Sequence, residues 1–195
     1  MAINVSIFHL SNVVDTCAIW NVLSSPRFFT AALGAGVGFA VTQVVVYECL
    51  FKARKQTSVS ERRLQDRLSA AMRAAHVIAF GLDVDDLQMI AVLENRKRLG
   101  KGELSSIAFA IKTRQAVLTD DQKARKLAQQ VLPEPGVQTT PHLLGWLLFN
   151  NKLMDHEKDL IVREHVSLGR PLAEHLETAY LEACRCRLMV NTRPT

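Results

Sequence analysis

Short apolar, β-branched runs alternate with helical patterns along this chain, and acidic residues stand where one gives way to the other. Asn12-Val-Val ends at Asp15, Phe39-Ala-Val-Thr runs into a helical segment carrying Glu48, and Ala116-Val-Leu-Thr ends at the pair Asp120–Asp121. Glu103 follows Gly100 and Gly102 at the start of a further helix. Parallel strands need a crossover long enough to hold a helix, so strand alternating with helix selects a parallel sheet. The expected fold is α/β, a three-layer α/β/α sandwich with a mostly parallel central sheet. Ligands of such sheets collect beyond the carboxyl ends of the strands, which is where Asp15 and Asp120–Asp121 fall.

Between these points the pattern supplies further elements. Ile3, Val5, Ile7 and Leu10 extend the first strand backwards, and Ser24-Ser25-Pro26 breaks the helix that follows it. Ser58 and Glu61 have capping-box spacing. Behind them Leu64, Leu68, Met72, Ala75 and Ile78 form one apolar stripe, which reads as a single long amphipathic helix. Asp83, Asp85 and Asp86 open the next helix as solvated face residues, and Val137-Gln-Thr is a last strand candidate. Thr140 is expected to cap a helix whose first residue is Pro141. From about Asp155 the chain reads as helical, with Leu172, Leu176, Ala179 and Ala183 on one face. The expected organisation is a catalytic domain over 1–152 and a helical extension over 153–195 packed on it.

With 48% apolar and 22% charged residues in 195, the chain is an ordered globular protein with a substantial core. A net charge of +5 is compatible with phosphate-bearing partners. The four cysteines, Cys17, Cys49, Cys184 and Cys186, complete no zinc pattern and read as reduced thiols of a cytoplasmic protein. The first residues lack the basic start and cleavage site of a secretory signal. Residues 28–47 carry no charge and are long enough for a bilayer crossing, but Gly34, Gly36 and Gly38 also fit a turn between a helix and a buried strand. No membrane is expected, with a span at 28–47 as the minor alternative. His156, His165 and His175 read as surface residues and Trp20 and Trp146 as core.

Carboxylates gathered at one sheet edge repel one another unless a cation neutralises them, and Mg²⁺ and Mn²⁺ are bound through hard oxygen ligands of this type. Each acid also has a plainer reading as a helix cap or a complement to a helix N-terminus. Taken in order, Val13-Val14-Asp15-Thr16, Thr42-Gln-Val-Val-Val-Tyr-Glu48, Gly102-Glu103-Leu-Ser-Ser-Ile-Ala and Val117-Leu-Thr-Asp-Asp121 resemble the PIN-domain nucleases. The resemblance covers roughly residues 3–150 and implies a Mg²⁺- or Mn²⁺-dependent endoribonuclease, often the toxin of a toxin–antitoxin pair. It implies Asp15, Glu48, Glu103 and Asp121 as catalytic metal ligands, Asp120 as a neighbour adding charge or binding through water, and Thr119 as a support for that loop. Ser105 departs from the pattern, since related nucleases often carry an acid there. The alternative is therefore a catalytically weak or inactive PIN-fold module that binds RNA or a protein partner. RNA is the expected substrate. The helices beyond Asp155 are an expected docking surface for an antitoxin, another protein or a second copy in a homo-oligomer.

Overall fold

A computed structural model describes residues 4–53 and 56–191. The elements run β1 (Ser11–Val14), α1 (Thr16–Leu23), α2 (Pro26–Gly34), β2 (Gly38–Thr42) and α3 (Gln43–Val46), which continues into a π-helical turn at Tyr47–Phe51. Then come α4 (Val59–Arg73), β3 (Val77–Phe80), α5 (Val84–Arg96), α6 (Lys101–Thr113), β4 (Ala116–Leu118), α7 (Gln122–Val131), β5 (Val137–Gln138) and α8 (Thr140–Phe149). A 3₁₀ turn at Asp155–Glu157 leads to α9 (Lys158–Ser167) and α10 (Ala173–Asn191).

The five strands form one parallel sheet in the order β3-β2-β1-β4-β5. Side chains alternate across it, as strand geometry requires. Val13, Ala40 and Val117 face Leu93 of α5, Leu104 and Ile107 of α6, and Leu127 of α7. Val14, Phe39, Val41 and Leu118 face the opposite layer, built on α1, α2, α4 and α8 to α10. The fold is thus the expected three-layer sandwich, with every strand pair parallel. Leu172, Leu176 and Ala183 enter the same apolar cluster as Val14 and Leu118, so the C-terminal helices pack onto the sheet's own core.

Several local expectations are corrected. The stripe after Leu64 is not one helix: α4 stops at Arg73, Ala75 adopts a left-handed φ of 55°, and Val77 to Phe80 pairs with β2 from Phe39↔Val77 to Thr42↔Phe80. The β-branched and aromatic content of Val77-Ile-Ala-Phe, together with an open sheet edge, outweighs helical spacing there. The first strand is shorter than its pattern, and Ile7 and Leu10 are exposed; Ile3 lies outside the described residues. Thr139 caps α8, accepting from the His142 amide at 3.2 Å, which makes Pro141 the second helical residue. His165 is buried, its Nδ1 3.0 Å from the Ile161 carbonyl, because α9 lays it against Phe28. Asp86 is buried as well, in a capping box with Asp83. The uncharged stretch 28–47 is divided among α2, β2 and α3, with Gly36 turning the chain at φ 82°. Among the described residues no helix is long and apolar enough to cross a membrane.

Candidate functional site

From β1 the chain adds β2 and β3 on one side, then crosses to add β4 and β5 on the other. The order therefore reverses between β1 and β4, and the crevice beyond their carboxyl ends is where open α/β sheets bind ligands. Val14 is in register with Leu118, and the Asp15 amide donates to the Leu118 carbonyl at 3.2 Å. The two strands thus release their acids side by side.

Asp15 is fully buried and caps α1, accepting from the Ala18 amide at 2.8 Å. Its second oxygen accepts from the Thr119 hydroxyl. Burial pushes its carboxyl up to about 7; those two hydrogen bonds oppose the shift, while the charges of Asp120 and Glu103 add to it. Asp121 caps α7 through the Ala124 amide at 2.8 Å, and its own amide donates to the Thr119 hydroxyl at 3.3 Å. One threonine therefore ties the two acids together.

Glu48 reaches the same edge from the π-helical turn, a local widening of the helix that is frequent at functional sites. Thr16 donates to its Oε2 at 2.6 Å and the Gly102 amide to its Oε1 at 3.1 Å, so Glu48 links the first turns of α1 and α6. Gly102 is what permits this approach: a Cβ there would lie 2.3 Å from Glu48 Oε2 and 2.9 Å from Thr16 Oγ1. Glu103, on the next residue, accepts from the Gly100 amide at 2.8 Å. Partial burial raises its carboxyl, with the charges of Asp121 and Glu48 adding and Lys123 opposing.

Asp120 points away from this group. Its Oδ2 accepts from Asn21 at 2.7 Å and from the Thr140 hydroxyl at 2.6 Å, and its Oδ1 from the Thr140 amide at 2.9 Å. It braces α1 against α8 while still lending its charge to Asp15. Ser105 is fully buried, 2.8 Å from the Thr42 hydroxyl and donating to the Gly102 carbonyl at 2.9 Å, so its position faces packed structure.

The structure thus brings Asp15, Glu48, Glu103 and Asp121 to one sheet edge, each held by a helix start or a neutral donor. Among the described residues, no three His, Cys, Asp or Glu side chains form a ready-made metal cage. Glu103 Oε1 and Asp121 Oδ2 accept no hydrogen bond from the described residues, which leaves them available to a ligand. Residues that the sequence reading passed over also shape the site. Thr16 and Gly102 border motif acids and were within reach of it. Arg170, which donates to Asn21 Oδ1 at 2.6 Å, is 149 residues away and carries no local signal.

Fold and site together define a parallel α/β protein with carboxylates lining its switch point. In comparison with known sequences, no family model matches the chain and no curated protein matches it significantly.

Proposed function

We propose that the chain is a metal-dependent endoribonuclease of the PIN-like type, with Asp15, Glu48, Glu103 and Asp121 holding Mg²⁺ or Mn²⁺. The observation that carries this reading is the buried Asp15 at the switch point, its carboxyl pushed up to about 7 in an edge that gathers three further acids. An all-oxygen donor set fits a hard, hydrated cation, which takes one or two carboxylates directly and meets others through water. Bound there, the ion would lower the pKa of a water and offset charge on the attacked phosphodiester.

The chain's own groups do the positioning. Thr119 and the Ala18 amide fix Asp15, and Thr16 and the Gly102 amide fix Glu48. Glu103 and Asp121 each keep one oxygen for a ligand. Lys101 and Lys123 are exposed on the first turns of α6 and α7, where they can meet the phosphates of an approaching strand. The test is cleavage of single-stranded RNA with Mn²⁺, with EDTA and Asp15→Asn as controls. Cleavage in EDTA, or full activity in the variant, overturns the mechanism.

A second reading, a PIN-like module that binds RNA or protein without cutting it, draws on Ser105, which stands where related nucleases often carry an acid. Titration calorimetry separates the two: tight Mn²⁺ binding that Glu103→Gln abolishes supports the nuclease, and metal-independent RNA binding without cleavage supports the module.

A further inference from the structure

A cavity of about 410 Å³ opens beside Asp120, between one face of α7, the approach to β5, and the starts of α8 and α10. Asp120 is its boundary with the acids: it lines the cavity, and its neighbour Asp121 belongs to the site. Much of the remaining wall is apolar, with Pro133, Pro135, Pro141 and Leu172 prominent. This volume and lining are those of a small-molecule pocket.

One group in the wall is unexplained by the fold. Arg125 lines the cavity, its Nε is buried without a hydrogen-bond partner, and no carboxylate among the described residues pairs with it. A buried guanidinium donor left unsatisfied is costly unless something external completes it, and its fork geometry suits phosphate oxygens. The two carboxylates of the wall do not serve that purpose: both Asp120 oxygens are taken by Asn21 and Thr140, and Glu134 makes no ion pair with Arg125. His142 stands in the same wall, held by the Asn4 and Ile7 carbonyls at 2.8 Å, and His175 joins it from α10. Imidazole rings beside flat proline faces offer a stacking surface for a base.

We propose that this cavity is a subsite for one nucleotide of the substrate strand, its base against the proline and imidazole walls and its phosphate on Arg125. The inference rests on the ribonuclease reading for the identity of the ligand, and on the cavity alone for its chemistry. It gives the C-terminal helices a direct part in substrate binding, through Leu172 and His175.

The test uses the full chain in EDTA, so that binding is read without cleavage. The four ribonucleoside monophosphates and inorganic phosphate are titrated by calorimetry and by NMR of the histidine ring protons. At least one nucleotide should bind more tightly than phosphate and shift the His142 or His175 signals. Arg125→Ala, and Gln129→Glu at an exposed position of the rim, should each weaken it by about tenfold or more. Absence of nucleotide binding, phosphate binding as tightly as the nucleotides, or unchanged affinity in both variants overturns the subsite. RNA cleavage with Mn²⁺ and an unaltered KM in Arg125→Ala also overturns it, while leaving the nuclease intact. Nucleotide binding with Arg125 dependence, in a chain that cuts no RNA, sustains the cavity and overturns the nuclease instead.

Discussion

Helix α6 has an acidic group at each end, and the two are handled in opposite ways. At its C-terminal end Lys112 pairs with Asp83 and, at 3.2 Å, with Asp86. That ammonium, with the amide of Asp86, holds the Asp83 carboxyl down to about 2. At its N-terminal end Glu48, Glu103, Asp15 and Asp121 meet neutral hydroxyls and amides, and the carboxyls of Asp15 and Glu103 are raised. The first group is a capping box whose two carboxylates share one cation. In the second, the Asp15 and Glu103 carboxyls are shifted upward by burial and by neighbouring acids, the direction that a bound cation reverses. The presence of acids does not separate the two groups; the direction in which their carboxyls are shifted does.

The largest expected effect breaks the comparison at the N-terminal end of α6. Asp121→Asn or Glu48→Gln should lower Mn²⁺-dependent cleavage by roughly a thousandfold or more, since the ion supplies several kcal/mol to the transition state. Asp83→Asn should leave the rate unchanged in the same assay.

Next in size is a stability effect with a defined sign. The pKa of Asp15 is higher in the fold, about 7, than its ordinary 3.8, so the folded chain holds the proton more tightly. Its contribution is fully present below about pH 4 and is lost as pH rises through 7. Asp15→Asn should therefore stabilise the metal-free protein at pH 8 by a few kcal/mol, at most roughly 4 from the size of the shift. That gain should vanish toward pH 4, as read by denaturant unfolding in EDTA. Mn²⁺ should raise the melting temperature of the natural chain at pH 8 and leave that of the variant alone.

Gly102→Ala tests the packing under Glu48. The added methyl, 2.3 Å from Glu48 Oε2, should cost about 1–3 kcal/mol and weaken Mn²⁺ binding. Gly100→Ala, whose methyl would meet Glu103 Oε2 at an ordinary 3.5 Å, should do neither. The smallest effect belongs to the compensated end. Asp83→Asn, which keeps the side-chain cap on the Asp86 amide and weakens only the exposed pair with Lys112, should lower the melting temperature slightly, and salt should shrink the difference. A large loss there would mean that the two ends of α6 are less distinct than their geometry implies.

Much of this was legible from local pattern. Val13-Val14-Asp15 and Val117-Leu118-Thr119 are short buried strands ending in helix caps, and a sequence states both facts directly. The plain reading holds, since Asp15 and Asp121 do cap their helices, and Asp15 also lies within the charge field of Glu103. β3 was hidden because Ala75 and Ile78 continue the helical spacing of α4, and only the edge of β2 offers Val77 to Phe80 a partner. His165 and Asp86 were placed on the surface because nothing near them in the chain reveals what covers them.

The sequence by itself determined the strand–helix alternation, the acids at the strand ends and the glycines that let backbone approach side chain, since these follow from period, capping and the lack of a Cβ. The tertiary structure alone decided that Asp120 turns inward to Asn21 and Thr140, that Arg170 reaches α1 from the connection between α9 and α10, and that Arg125 Nε is buried without a hydrogen-bond partner. Hydrogen bonds and buried charges depend on which groups meet across separations here of 20 to 149 residues, and no local spacing encodes those meetings.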